Sequence, residues 1–173
     1  MTAAIVELAG PDAAAHDFHA GRTGAFAEAL AALTAARAAG AVITVDTPLT
    51  RSSYRALAGL PVLLRRHHVA RWRLRVLADT DVAAAAVPRT IPRLAMALPH
   101  ALHAAERARR LGLPTVIVDA PRCLLGPFAA HAEVTRARAF APACDLCAAR
   151  AQCPGVDAGY LARFGGEELT AIA

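Results

Sequence analysis

The sequence predicts an α/β chain: a fragment of a (β/α) barrel with parallel strands, followed by a small, irregular, cysteine-bearing C-terminal segment. Three observations lead there. Short β-branched runs alternate with helical patterns long enough to act as crossovers between parallel strands. The β/α units number three or four, too few to close a full barrel of about eight. After Ala120 the periodicity lapses into Pro, Cys, Ala and Arg. Residues 1–120 are therefore assigned to the barrel piece and 121–173 to the appended segment.

The first strand is the apolar run Ile5 to Leu8, and the stretch "AGPDAAAHDFHAGRTG" behind it reads as a long turn-rich loop. A helix follows from Ala25 to Ala39, stopped by Gly40. "AVITVDT", Ala41 to Thr47, is the second strand. The polar turn "PLTRSS" then offers Ser52 or Ser53 as the cap of a helix reaching about His67. "RWRLRVL", Arg71 to Leu77, alternates strictly and is the third strand. "LADTDVAAAAVPRTIP" connects it to a helix from about Arg93 to Leu111, and Gly112 leads into the fourth strand, "PTVIVDA", Pro114 to Ala120. No glycine-rich phosphate fingerprint follows the first strand, which sets a dinucleotide-binding fold aside.

At 173 residues the chain holds one domain with a real core, or one domain and a small appendage. Hydrophobic residues are 56 % of it, but the excess is alanine, and no window of about 18 residues is apolar throughout. The start, "MTAAIVELAGPD", lacks a secretory pattern, so a cytoplasmic address with reduced thiols is expected and no membrane partner. The net charge is +5, and all 19 basic residues are Arg. They are spread from Arg22 to Arg163 without a dense run or interleaved aromatics, which argues for a solvated surface and against nucleic acid as a partner.

Three of the four cysteines lie in "PACDLCAARAQCPG". Cys144 and Cys147 are two residues apart and Cys153 follows after five more, while Cys123 stands alone upstream. A close pair reaches one metal centre from a single turn of backbone, and Cys123 would complete four ligands. Four thiolates suit a tetrahedral zinc ion or a four-iron cluster equally. The asymmetric spacing is nearer to iron–sulfur usage than to paired zinc knuckles. Buried, unligated thiols are the remaining reading.

The tail "FAPACDLCAARAQCPGVDAGYLARFGGEEL" resembles the C-terminal segment of radical S-adenosylmethionine (radical SAM) enzymes of the SPASM and twitch type. In those proteins a close Cys pair, a third Cys and a Pro-Gly, Tyr, Phe-Gly, Glu-Leu trail surround an auxiliary 4Fe-4S cluster. Upstream, a strand ending in Gly10, the pair His16 and Asp17, then Gly21, Phe26, a helix and a further strand are similar to the second half of the family's partial barrel. Thr50 and Tyr54 fit the turn after that strand, and Ser53 stands where the family usually has Asn. The resemblance implies an auxiliary iron–sulfur site at Cys123, Cys144, Cys147 and Cys153, and radical-mediated modification of a peptide or small substrate. The family's CxxxCxxC loop and Gly-Gly-Glu-Pro segment do not occur in this sequence. S-adenosylmethionine is therefore expected as a cofactor only if a missing N-terminal part, a complementing radical SAM polypeptide or a second copy completes the barrel. The alternative is a non-catalytic zinc-binding or partner-docking module.

Alternation places Glu7, Thr44, Asp46, Arg71, Arg73 and Arg75 on the inner face of the barrel piece, with Val6, Leu8, Ile43, Val45, Trp72, Leu74 and Val76 packed under the helices. Glu7, Asp46, Arg73 and Arg75 are the candidate cofactor-binding residues. Such groups can pair with one another, grip a carboxylate-bearing ligand, or line an open solvated face. By the resemblance, Glu7 sits where a serine commonly contacts the cofactor's ribose. His16 and His19 fall in the loop after the first strand, where such folds place chemistry, and His67 and His68 suit a helix C-terminus.

Overall fold

A computed structural model describes residues 2–136 and 138–173. Five parallel strands form one sheet whose order in space is their order in the chain: β1 (Ala3–Glu7), β2 (Val42–Leu49), β3 (Arg71–Val76), β4 (Thr115–Val118) and β5 (Ala132–Glu133). Each parallel step needs a crossover, and right-handed crossovers in this order lay their helices on one face. Those helices are α2 (Ala25–Ala38), α3 (Leu60–Arg66) and α5 (Leu94–Arg110). Shorter helices are α1 (Ala13–Ala20), α4 (Val87–Thr90) and α6 (Ala158–Phe164).

The period-2 pattern sorts the two faces as the sequence predicts. Ile43, Val45, Trp72, Leu74 and Val76 are buried with Leu33, Leu57, Leu60, Leu64 and Leu98 from the helical layer. Each such side chain contributes roughly 1.5–3 kcal/mol by leaving water. Trp72 also ties three strands together at this level. Its indole N–H donates to Thr47 Oγ1 at 2.8 Å, and the Thr47 hydroxyl donates to the Leu8 carbonyl at 2.8 Å.

The structure differs from the sequence-based elements most in three places, besides the short α4 inside the stretch read as the connection after the third strand. The stretch after β1 is not a loop but contains α1: the Asp12 carboxylate accepts from the Ala15 N–H at 2.9 Å, and Gly21 ends the helix at φ 70°. Neither Ser52 nor Ser53 caps a long helix. Ser53 is buried and its hydroxyl lies 2.8 Å from that of Thr50, so a 3-10 turn, Tyr54–Gly59, intervenes. The α-helix starts only at Leu60, where Pro61 needs no N–H partner. The third difference is β5, two residues long and without a periodic signal. It is fastened by the Asp119 N–H donating to the Glu133 carbonyl at 2.8 Å.

Residues 121–173 share the core of the sheet half: Leu125, Ala141, Val156, Tyr160 and Leu169 belong to the same buried cluster. The tail also closes the open start of α5, which has no side-chain cap of its own. The Tyr160 hydroxyl accepts from the Leu94 N–H at 2.7 Å and donates to Glu168, whose carboxylate accepts from the Ala95 N–H at 3.0 Å. An anion there also complements the helix dipole. Among the described residues no helix is long and apolar enough to cross a membrane.

Candidate metal centre and the charged sheet face

All four thiols line one small pocket beside the C-terminal end of β4. They arrive from separate stretches of chain. Cys123 sits in a 3-10 turn, Arg122–Leu124, immediately after the strand. Cys144 ends a second such turn that Pro142 initiates, and Cys147 follows, its N–H bonded to the Cys144 carbonyl at 3.3 Å. A third turn, Arg150–Gln152, delivers Cys153. Phe140 and the strap Leu169, Thr170 and Ile172 are among the other walls. No disulfide joins the cysteines.

Backbone N–H groups point at two of these sulfurs. Arg122 and Gly155 donate to Cys153 Sγ at 3.4 and 3.5 Å, and Ile172 donates to Cys147 Sγ at 3.4 Å. Such donors favour a thiolate over a thiol and tune a metal held by it. Burial, aided by the neighbouring Cys153 and Cys144, pushes the Cys123 thiol above its ordinary range. Gly155 is needed for the fold of this wall: it sits at φ 71°, and a Cβ there would meet the Ala139 carbonyl oxygen at 2.1 Å. The pocket as a whole has a volume of about 10 Å³. No three His, Cys, Asp or Glu side chains among the described residues gather around a single point as one ion would require.

A buried acid fastens the arms of this pocket together. Asp119 follows β4 at φ 58° and is fully buried. Its carboxylate accepts from the Thr135 N–H at 2.8 Å and the Thr135 hydroxyl at 2.6 Å, and faces Arg138 at 3.4 Å. The Arg138 guanidinium also donates to the Val76 carbonyl at 2.9 Å, and its backbone N–H to the Pro154 carbonyl at 2.9 Å. The stretch holding Cys123 and the one holding Cys153 thus meet at one ionic knot. Burial pulls the Asp119 carboxyl upward, but the Thr135 bonds and Arg138 outweigh it and hold the group below the usual carboxylate range. The sequence signal for this residue is only its place, an acid just past a strand's C-terminal end.

On the inner face the structure brings Glu7, Asp46, Arg73 and Arg75 together, as the alternation predicts, and pairs them with one another. Arg73 lies 3.2 Å from Asp46 and 3.4 Å from Glu133, while Arg75 lies 3.4 Å from Glu7 and 3.9 Å from Asp46. Arg71 binds Glu133 at 2.5 Å. Glu133 is the member that sequence reasoning missed, because β5 is too short to announce itself. The His19 imidazole, 3.7 Å from Glu7, holds that carboxyl below its usual range against the effect of burial. His16 does other work: its Nδ1 accepts from the Ala9 N–H at 3.0 Å, and burial lowers its basicity. His67 and His68 end α3, with His68 at φ 55°.

Comparison with known proteins adds no assignment. No protein-family model matches the chain, and no curated protein matches it.

Proposed function

We propose that the chain is a four-thiolate metal protein of radical SAM-like character, in which Cys123, Cys144, Cys147 and Cys153 hold an auxiliary 4Fe-4S cluster beside an incomplete β/α barrel. One observation carries the reading. Four thiols drawn from two stretches of chain, with N–H donors aimed at two of them, line a single pocket at the strand ends where such folds place chemistry. The donor set fits the group by its chemistry: soft thiolates select iron–sulfur clusters or zinc, and all four cysteines line the one pocket. When bound, such a cluster carries single electrons. The chain's own residues then hold the sulfurs, spread their negative charge onto backbone N–H groups and exclude water.

With its four cysteines engaged, the chain has no thiolate left to hold a second cluster. Cleavage of S-adenosylmethionine then falls to an N-terminal part absent from this sequence or to a complementing polypeptide, and the substrate class is a peptide or a small molecule. The ionic lattice of Glu7, Asp46, Arg73 and Arg75 faces the interior that such a complement would close. The second reading, a zinc module, is favoured by the small pocket volume of about 10 Å³, since an ion at about 2.3 Å from each sulfur needs almost no void once the thiols close on it.

Anaerobic reconstitution with iron and sulfide separates the two. The cluster reading expects a brown protein with about four irons per chain; a colourless product retaining about one zinc supports the module. Cys123→Ser is the sharper probe, because Cys123 lies farthest from the others in sequence. It should abolish or greatly reduce metal retention. Full retention by that variant would remove Cys123 from the ligand set and, with it, the reading.

A further inference from the structure

Three helices end at one rim of the molecule, opposite the thiol pocket. Crossover helices run back against the strands they connect, so α2, α3 and α5 finish where the strands begin. Their last turns carry Arg37, Arg65 and Arg66, and Arg107, Arg109 and Arg110, all exposed. Among the described residues the one carboxylate paired with any of these is Glu106, which binds Arg109 and Arg110. Offsetting helix dipoles does not account for so many cations. Three macrodipoles amount to about −1.5 elementary charges at this end, whereas six guanidiniums and a single carboxylate leave an excess several times larger.

The same rim opens into a mostly apolar cavity of about 480 Å³ between the end of α5 and the start of β4. Leu113, Pro114, Val116 and Phe128 are among its walls, and Arg109 and His131 also line it. β3 pairs with β4 along its whole length, whereas β5 pairs only with Ile117 and Val118, so the side of β4 away from β3 has no strand beside Thr115 and Val116. An extended chain can lie in that lane.

Charge and cavity together select the occupant. Nucleic acid matches the arginines but brings no aliphatic or aromatic side chain to fill the cavity. An alkyl carboxylate fills the cavity but uses one guanidinium of six. The geometry points to a docking site for an acidic peptide segment that seats one large apolar side chain in this cavity and lays its carboxylates along the arginine rim. Apolar anchors in pockets, ringed by charges that steer association, are how peptide interfaces divide their work. Because the rim is remote from the thiols, the site serves recognition and not the reaction, and it stands whatever the cysteines hold.

Fluorescence anisotropy of the full chain with a labelled peptide of Glu and Asp around one central Phe tests the proposal. The peptide should bind, more weakly as salt rises, and replacing its Phe with Ala should weaken it by roughly thirtyfold, the ratio expected of an anchor. Arg107→Glu with Arg110→Glu, both exposed, should abolish binding without unfolding the protein, as circular dichroism checks. His131→Trp, which places bulk beside the cavity, should discriminate against the Phe peptide and leave the Ala peptide unchanged. Equal affinity for the Phe and Ala peptides, tighter binding of a labelled polyuridylate, or no binding at low salt would each overturn it.

Discussion

Asp119 combines three costs that only a well-satisfied site repays: a left-handed backbone, complete burial and a charge. Asp119→Ala should therefore lower stability by about 3–5 kcal/mol, because Arg138 is left buried without its partner; urea titration followed by far-ultraviolet circular dichroism reads this, and a loss below about 1 kcal/mol would show the knot to be dispensable. Thr47→Val removes the bridge between the Trp72 indole and the Leu8 carbonyl and should cost about 1–3 kcal/mol. Trp72 is the only tryptophan, so its emission reports that transition directly. The pH dependence has a definite sign. The Asp119 carboxyl, and that of Asp81, which accepts from the Ala78 N–H at 2.7 Å and pairs with Arg136 at 2.6 Å, are held below their ordinary value of 3.8, so their stabilisation is present above that value and is lost as pH falls through their folded values. The raised Cys123 thiol works in the opposite sense: metal-free protein loses stability as pH rises from the ordinary thiol value of 9.0 through the higher folded one. The thiols and the strand charges were legible because cysteine spacing and period-2 alternation are local patterns. The Asp119 knot was not, since its partners Thr135 and Arg138 lie in a stretch with no periodicity.

At the level of elements, β1 is the exposed side of the sheet: it pairs with β2 alone, and Ile5 is 67 % accessible on it. An unpaired edge of this kind invites another chain. Ile5→Lys should reduce any self-association seen in sedimentation velocity while leaving the thermal midpoint nearly unchanged; an unaltered assembly would place the contact elsewhere. The long helices α2 and α5 were readable from spacing within two residues of their ends. The helix α1 was also written in the chain, in the Asp12 cap and the Gly21 stop, but the glycines and proline flanking it outweighed a pattern with no apolar stripe. The delayed start of α3 depends on Ser53 turning inward to Thr50, a tertiary choice no local propensity encodes.

The whole molecule joins a regular sheet half to a tail that is packed into the same core yet built from short turns. Ligand binding by the tail should therefore stabilise the sheet as well. Loading the thiols should raise the thermal midpoint of a single cooperative transition, and chelation should lower it; two separate transitions, only one of them metal-sensitive, would mean that the halves unfold independently. The α/β class and parallel pairing were legible because they follow from the alternation of periods, while the tail's architecture rests on contacts with Leu94, Ala95 and Val76 that are remote in sequence. The strand order carries one more consequence. Because β1 to β5 lie side by side in the order of synthesis, each new strand meets a template already laid down, and the sheet can assemble from its amino end without waiting for distant segments. The thiol-bearing arms come last in that order, so the metal ligands are made only after the strands and helices they pack against.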